Sequence, residues 1–540
     1  MPTLSSFAPS RSVRSRVAQL IGVVACAAAI VLAAPQSSPA VLGDPPTPPA
    51  PTQAKVIVQL WDGNDAGPRA AVGVLGGTIT SELPVVGGFA ATIDGSQVAA
   101  LAAHAGVRVV SADVPVLTQQ AMPDGGAASV HNDVIGATTA NAAGHRGAGV
   151  AVAVIDTGIT KVAGLHGKVR NVATPAGGIA GCVNFSDEQG CSDNYGHGTF
   201  VGGLVHSVAA DADLIAVKLS GRDGTSSVSR LLKAVGWVID NKADYNIKVL
   251  NLSLRTYSPL SYRLDPVNLA VERAWAAGIS VVVSAGNQGP GASSIAKPAD
   301  DPWVITVGST DDAGTVTLAD DAVSSFSSRG PSMPDGVAKP DVVVPGRSLV
   351  SLRSPGSEAD LRYPYFVDSA RRRGSGTSFS APLVAGAAAV LHAADASATN
   401  DRVKFALTSS GRVIPGASSA AAGAGVIELG AALNAGPGVA NGGQFQPLFW
   451  PASTASSVDV DGSVFEPQWL GSNWQGSNWQ GSNWQGSNWQ GSNWQGSNWQ
   501  GSNWQGSNWQ GSNWQGSNWQ GSNWQGSNWQ GSNWQSSFWS

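Results

Sequence analysis

Gly374-Ser375-Gly376-Thr377-Ser378-Phe379-Ser380-Ala381-Pro382 runs without a break into Leu383-Val384-Ala385-Gly386-Ala387-Ala388-Ala389-Val390-Leu391. The two outer glycines permit a tight turn, and the Ala, Val and Leu run after Pro382 has the composition of a helix made for burial. Proline is tolerated in a first turn, whose N–H groups lack intrahelical partners, so Pro382 is expected there. Ser378 then stands at the positive end of a helix dipole, where backbone N–H groups can hold an oxyanion. Taken alone, the stretch reads more simply as an N-cap serine. What decides between the two lies upstream.

From about residue 135 to 433, apolar strands alternate with Ala-rich helices, the pattern of a mostly parallel sheet covered on both faces. Residues 149–155 read as a buried strand that ends in Asp156-Thr157-Gly158. Further strands are expected at 214–219, 248–252, 279–284 and 304–307, with helices at 228–241 and 266–277. Functional groups gather at the carboxyl ends of such strands, which is where Asp156 falls. Between them, Asn194-Tyr195-Gly196-His197-Gly198-Thr199-Phe200-Val201-Gly202-Gly203 sets a glycine-flanked histidine at the start of another small-residue helix.

The order Asp156, His197, Ser378 is that of subtilisin and differs from chymotrypsin and the α/β-hydrolases. Around the three residues, Val154-Ile155-Asp156-Thr157-Gly158, Gly196-His197-Gly198-Thr199 and Gly376-Thr377-Ser378-Phe379-Ser380-Ala381-Pro382 each resemble the matching motif of the subtilisin-like serine peptidases. The resemblance implies an α/β, three-layer subtilisin-like fold with a mostly parallel central sheet. Ser378 becomes the nucleophile, His197 the base and Asp156 the group that fixes the imidazole. Ser284-Ala285-Gly286-Asn287 resembles the segment whose asparagine donates to the oxyanion, so Asn287 takes that role beside the N–H of Ser378. Asn251-Leu252-Ser253-Leu254 and residues 325–331 and 339–346 extend the likeness. It implies that the backbones at Ser253, Leu254, Arg255 and at Ser284, Ala285, Gly286 bind an extended peptide as an added strand.

Three departures qualify the likeness. Arg255 stands where the family usually has glycine, and is expected in water; the alternative aims it into the cleft, favouring acidic or rejecting basic side chains. Phe200 replaces a common histidine, a change in packing. The connection from 203 to 214 is short and lacks the loop that carries a tight calcium site in many subtilisins. No cofactor is required by the sequence, and calcium stays possible but unplaced. Asp311, Asp312, Asp320 and Asp321 are candidate ligands, although paired surface aspartates are usually only solvated. Arg371-Arg372-Arg373 is expected to be a solvated cluster.

At the front, Arg11, Arg14 and Arg16 precede an apolar run over 17–34, a secretory signal assigned to residues 1–40. Cys26 is expected within it rather than in a lipoprotein box, and no second long apolar segment suggests an anchor. A Pro-rich spacer covers 41–53. Residues 54–118 read as strands at 55–60, 88–93 and 107–110 with a helix at 97–104, an α+β module that resembles the inhibitory propeptide of these peptidases. The peptidase domain is assigned to 119–435, with self-processing expected between about 111 and 135. Cys182 and Cys191, the thiols left after the signal, are expected to pair in an oxidising compartment. A net charge of −5 with no basic stripe gives nucleic-acid binding no support.

Residues 436–470 read as a linker, and Gly-Ser-Asn-Trp-Gln then repeats without interruption over 471–535. A period of five builds no apolar face on strand or helix, so the expectation is a low-complexity tail without a core. Its tryptophans offer multivalent weak contacts with cell-surface glycans, membrane interfaces or other copies of the tail. Two readings compete with a secreted endopeptidase: a pseudo-peptidase that only binds, which the intact triad opposes, and a surface adhesion or matrix protein whose tail is the main functional part.

Overall fold

A computed structural model describes residues 53–61, 65–118, 127–175 and 179–441. The signal segment, nearly all of the spacer, the linker beyond 441 and the repeat tail lie outside the described residues, with the readings placed on them.

The front module is β1 (Gln53–Leu60), α1 (Ala66–Val74), β2 (Thr78–Leu83), β3 (Gly88–Asp94), α2 (Val98–Ala102) and β4 (Val107–Ala112). Its antiparallel sheet has the order β2-β3-β1-β4. A small core of Val56, Val58, Phe89, Ile93 and Leu101 holds it together. Two elements were not expected from the sequence. Gly67, Pro68 and Gly73 weaken the helical signal of α1. Strand β2 alternates exposed and half-buried residues and so shows no apolar face. Ile57, Leu83, Val85, Val86 and Ala90 instead belong to the main core of the chain.

Strand β5 (Pro115–Thr118) leaves the module. There follow β6 (Ala151–Asp156), α3 (Gly198–Val208), β7 (Asp213–Lys218), β8 (Thr225–Ser227), α4 (Val228–Asp240), β9 (Ile247–Leu252), β10 (Leu254–Thr256), α5 (Pro266–Ala276), β11 (Ser280–Ser284), β12 (Ile305–Asp311), β13 (Val342–Pro345), β14 (Leu349–Leu352), β15 (Arg371–Gly374) and α6 (Thr377–Ala394). Strands β12-β11-β9-β6-β7 form a parallel run, with β13 also parallel to β12 and Ala322–Val323 antiparallel at one edge. Every residue of β6 is buried, as continuous apolar strands covered on both faces require. Helix α4 is capped by Ser227, whose hydroxyl accepts from the Arg230 N–H, and α5 by Asp265 ahead of Pro266. The module docks against these two helices: Asp113 accepts from Ser229 N (2.8 Å) and Oγ (2.7 Å), and Arg273 donates to Pro84 O (2.9 Å).

Helix α6 runs through the core. By length and composition it would suit a bilayer, yet 89% of it is buried inside the fold. It begins at Thr377, so Pro382 is its sixth residue and not part of the first turn, correcting the sequence expectation. The Ser378 carbonyl, which a residue-382 N–H would otherwise satisfy, loses that partner. The hydroxyl of Ser253 donates to it instead, at 2.7 Å, and the Asn251 amide donates to Ser253 Oγ at 3.0 Å.

Candidate active site

Strand β6 delivers Asp156 to the carboxyl edge of the sheet, and α3 begins one residue after His197. The imidazole Nδ1 lies 2.8 Å and 2.9 Å from the two carboxylate oxygens of Asp156, and both side chains are buried. A proton on Nδ1, donated to this carboxylate, leaves Nε2 as the basic nitrogen. The Thr157 N–H donates to Asp156 Oδ1 (2.7 Å). The Thr157 hydroxyl donates to Asp193 Oδ1 (2.7 Å) and accepts from Gly198 N (2.9 Å).

Asp193 also accepts from Gly196 N (2.6 Å) and Thr199 N (2.7 Å). A second buried carboxylate thus ties the turn after β6 to the first turn of α3. Burial pushes its carboxyl above the usual aspartate range, against the hydrogen bonds from Thr157, Thr199 and Gly196. Sequence reasoning passed over Asp193; the available signal was its place four residues ahead of His197 in a glycine-containing turn.

Ser378 is the second residue of α6. Its hydroxyl is shielded from solvent and has no hydrogen-bond partner among the described residues. The neighbouring Phe379 ring lies 5.1 Å from the imidazole, so the first turn of α6 abuts His197. Asn287 Oδ1 accepts from Thr377 N (2.9 Å) and Oγ1 (2.8 Å). Thr377 therefore fixes which end of the Asn287 amide is oxygen, leaving Nδ2 as the donor end.

Strand β5 lies in the adjoining groove. It pairs antiparallel with β8 on one side and β10 on the other, matching Leu117 with Arg255 and Thr225, and Val116 with Thr256 and Ser226. The Thr118 hydroxyl donates to Gly224 O (3.2 Å). A Cβ on Gly224 would sit 2.7 Å from the Tyr195 ring, which is why glycine stands there.

The sequence pattern of the subtilase family matches residues 147–425, more than half of the 540. The chain belongs to the subtilase family. It is similar to serine protease AprX of Bacillus subtilis, 39% identical over 276 residues that make up 48% of this chain and 60% of that protein. Subtilisin BL of Lederbergia lenta is 32% identical over 278 residues, 50% of this chain and 85% of that one. Fervidolysin from Fervidobacterium pennivorans, a keratinolytic enzyme related to subtilisin, superposes with a TM-score of 0.56 at 24% identity, covering 72% of this chain and 61% of its own. That likeness shows the fold. The chain spans about 60% of the length of AprX and 59% of the subtilisin-like protease 1 of Trichophyton rubrum.

Several expectations change in this subtilase. Ser253 is buried and its hydroxyl serves the Ser378 carbonyl. Ala285 N donates to Val307 O and its carbonyl accepts from Ala296 N, both at 2.9 Å; Gly286 N donates to Thr377 Oγ1 (3.2 Å). Ser284, Ala285 and Gly286 pair with no residue of β5, whose two neighbours are β8 and β10. The Thr-Ser-Ser sequence of β8 carries no apolar alternation to announce a strand. Arg255 is half-buried with its guanidinium 4.1 Å above the Tyr257 ring, not out in water. Arg372 is buried against Phe200 (5.8 Å) rather than solvated, and Phe200 packs on Phe379 at 4.3 Å, a change in packing as expected.

Cys182 and Cys191 are disulfide-bonded, closing the loop ahead of His197. The aspartates weighed for calcium do not build a cage. Asp312 accepts from Ser129 Oγ and Val130 N, Asp320 from Thr315 Oγ1, and Asp311 pairs with Arg347. Among the described residues no group of three or more His, Cys, Asp or Glu has the geometry to hold a metal ion. Asp311, Asp312 and Asp320 are thus each engaged by groups of the chain itself, and no step below is routed through a calcium ion.

Proposed function

We propose that this subtilase is a secreted serine endopeptidase that hydrolyses protein peptide bonds, made as a zymogen whose front module, residues 54–118, is its intramolecular inhibitor. The observation that carries the reading is the joint presence of the Asp156–His197 pair beside Ser378 and of β5, a strand of the chain itself, laid between β8 and β10. A strand added on both sides by backbone pairing is how an extended peptide is held without a narrow side-chain requirement. The signal-like segment of the sequence supports export.

The chemistry follows from the groups present. Ser378 Oγ attacks the substrate carbonyl while His197 Nε2 takes its proton. The imidazolium is stabilised by the Asp156 carboxylate 2.8 Å away. The oxyanion is received by the Asn287 side-chain N–H and the Ser378 N–H at the start of α6. As the carbon–nitrogen bond breaks, His197 returns the proton to the leaving amine. A water deprotonated by His197 then cleaves the acyl-enzyme and regenerates Ser378. The tail lies outside the described residues and enters no step.

The test is the mass and N-terminal sequence of the purified full chain beside its Ser378→Ala variant. The parent should shorten itself to a new N-terminus just beyond β5, within residues 119–130, while the variant stays full length and loses about 10⁶ in turnover, the scale of removing a triad serine. If both stay full length, and neither digests casein once trypsin has nicked the front module, the chain is a binding protein with a peptidase fold.

A further inference from the structure

Arg255 is the one charged residue on the two strands that flank β5, which otherwise offer Thr225, Ser226, Ser227, Leu254 and Thr256. It stands directly opposite Leu117, and alternation along paired strands sets both side chains on one face, with Tyr257 two residues on. Leu254 and Thr256 take the other face and are buried at 1% and 2% exposure. Tyr257 holds the guanidinium from beneath at 4.1 Å. Two of its nitrogens, Nε and Nη1, are shielded from solvent and have no hydrogen-bond partner among the described residues. Leu117, being aliphatic, gives them none. Burial accordingly lowers the guanidinium below the usual arginine range, with the Tyr257 phenol only partly offsetting it.

We propose that Arg255 is a specificity-determining residue that selects an acidic side chain at the substrate position Leu117 occupies here. The inference rests on the peptidase reading above. The position can be counted. Thr118 lies opposite Leu254, so the next residue of a bound substrate lies beside Ser253, whose hydroxyl holds the Ser378 carbonyl. That residue bears the carbonyl under attack, which makes the Leu117 place the third before the bond cut. A glutamate or aspartate there accepts a charge-assisted hydrogen bond from one of the two unbonded N–H groups, and the guanidinium is already held by Tyr257. An apolar leucine makes the chain's own strand a weaker occupant than such a substrate, which suits an inhibitor that must give way.

The experiment uses the self-processed enzyme and matched fluorogenic peptides that differ only in Glu, Gln, Leu or Lys at one of the four positions before the cut. The parent should favour Glu over Gln by about tenfold in kcat/KM at the third position alone, and the ratio should shrink as salt is raised. Arg255→Gln should bring that ratio to about one, Arg255→Lys should keep part of it, and Tyr257→Leu should lower it by loosening the fork. In the full chain, Leu117→Glu should keep the front module bound after the cut, co-eluting with the enzyme. A parent that cleaves Glu and Gln peptides equally, or an Arg255→Gln enzyme that keeps the preference, overturns the assignment. A parent that cleaves none of the peptides overturns the peptidase reading itself.

Discussion

The Asp156–His197 corner belongs to the large parallel sheet and the Arg255 edge to the three-stranded sheet around β5, and their polar groups are treated in opposite ways. At the corner, Asp193 accepts three hydrogen bonds and both Asp156 oxygens lie within 2.9 Å of the imidazole. At the edge, Arg255 keeps two shielded N–H groups without an acceptor. Groups that must hold one geometry through a reaction are satisfied by the fold itself, and a group left incomplete marks where something else is to bind. If the contrast is real, damage at the corner should unfold the protein as well as slow it. Damage at the edge should change only what it prefers.

The largest effect is expected at Asp193. Replacing it with alanine leaves Gly196 N, Thr199 N and Thr157 Oγ1 without their acceptor in a buried site. At about 1–3 kcal/mol for each stranded group, partly relieved by relaxation, the loss should reach about 3–5 kcal/mol. Asp193→Ala should therefore lower Tm by many degrees and kcat/KM together, measured by thermal denaturation and peptide turnover. Arg255→Gln should leave Tm where it was. Equal Tm changes in the two variants would erase the distinction between corner and edge.

A second contrast separates the buried histidines. His197 faces a carboxylate, whereas His392 is bonded to the Ser280 hydroxyl at 2.9 Å and burial pushes its pKa down to about 4. Burial does the same to His131, also to about 4. The unfolded chain takes up these protons near pH 6.5, before the folded one does. Stability is then complete above about pH 6.5 and is lost as pH falls toward 4, by up to about 3 kcal/mol for each histidine. His392→Asn should start with a lower Tm at pH 7.5 and lose less on acidification than the parent. A variant whose Tm fell as steeply as the parent's would show that His392 does not titrate in this window.

What was legible beforehand follows the same division. Strand β6, helix α4 and helix α5 appear within two residues of their expected bounds, because each carries either an unbroken apolar run or an apolar stripe closed by a cap. The residues of the proposed triad were legible because the chemistry fixes their type and the sheet fixes their place. One side of the groove was legible, since Leu254 and Arg255, expected to pair with an extended chain, pair with β5; the other was not, because β8 binds through its backbone and its Thr-Ser-Ser sequence carries no sign of that use. Arg372 looked like one of three solvated arginines until β15 paired with β14 and turned its side chain inward. Asp193 looked like an ordinary turn aspartate, because the donors that converge on it come from both sides of the site and are joined only by the fold.

Ser253 offers the finest cut, since its sequence neighbours place it at the edge and its hydrogen bond places it at the corner. Its hydroxyl supports the Ser378 carbonyl only because residue 382 is a proline and cannot. Ser253→Ala should strand that carbonyl and cost about 1 kcal/mol, read as a loss of about fivefold in kcat with KM little changed. Pro382→Ala returns an N–H at the place in the helix where the carbonyl's ordinary partner belongs. In that background Ser253→Ala should cost much less, and the double-mutant cycle should report most of the single-mutant effect as coupling. An equal cost in both backgrounds would mean that the Ser253 hydroxyl acts on the substrate after all, and would move it from the corner to the edge.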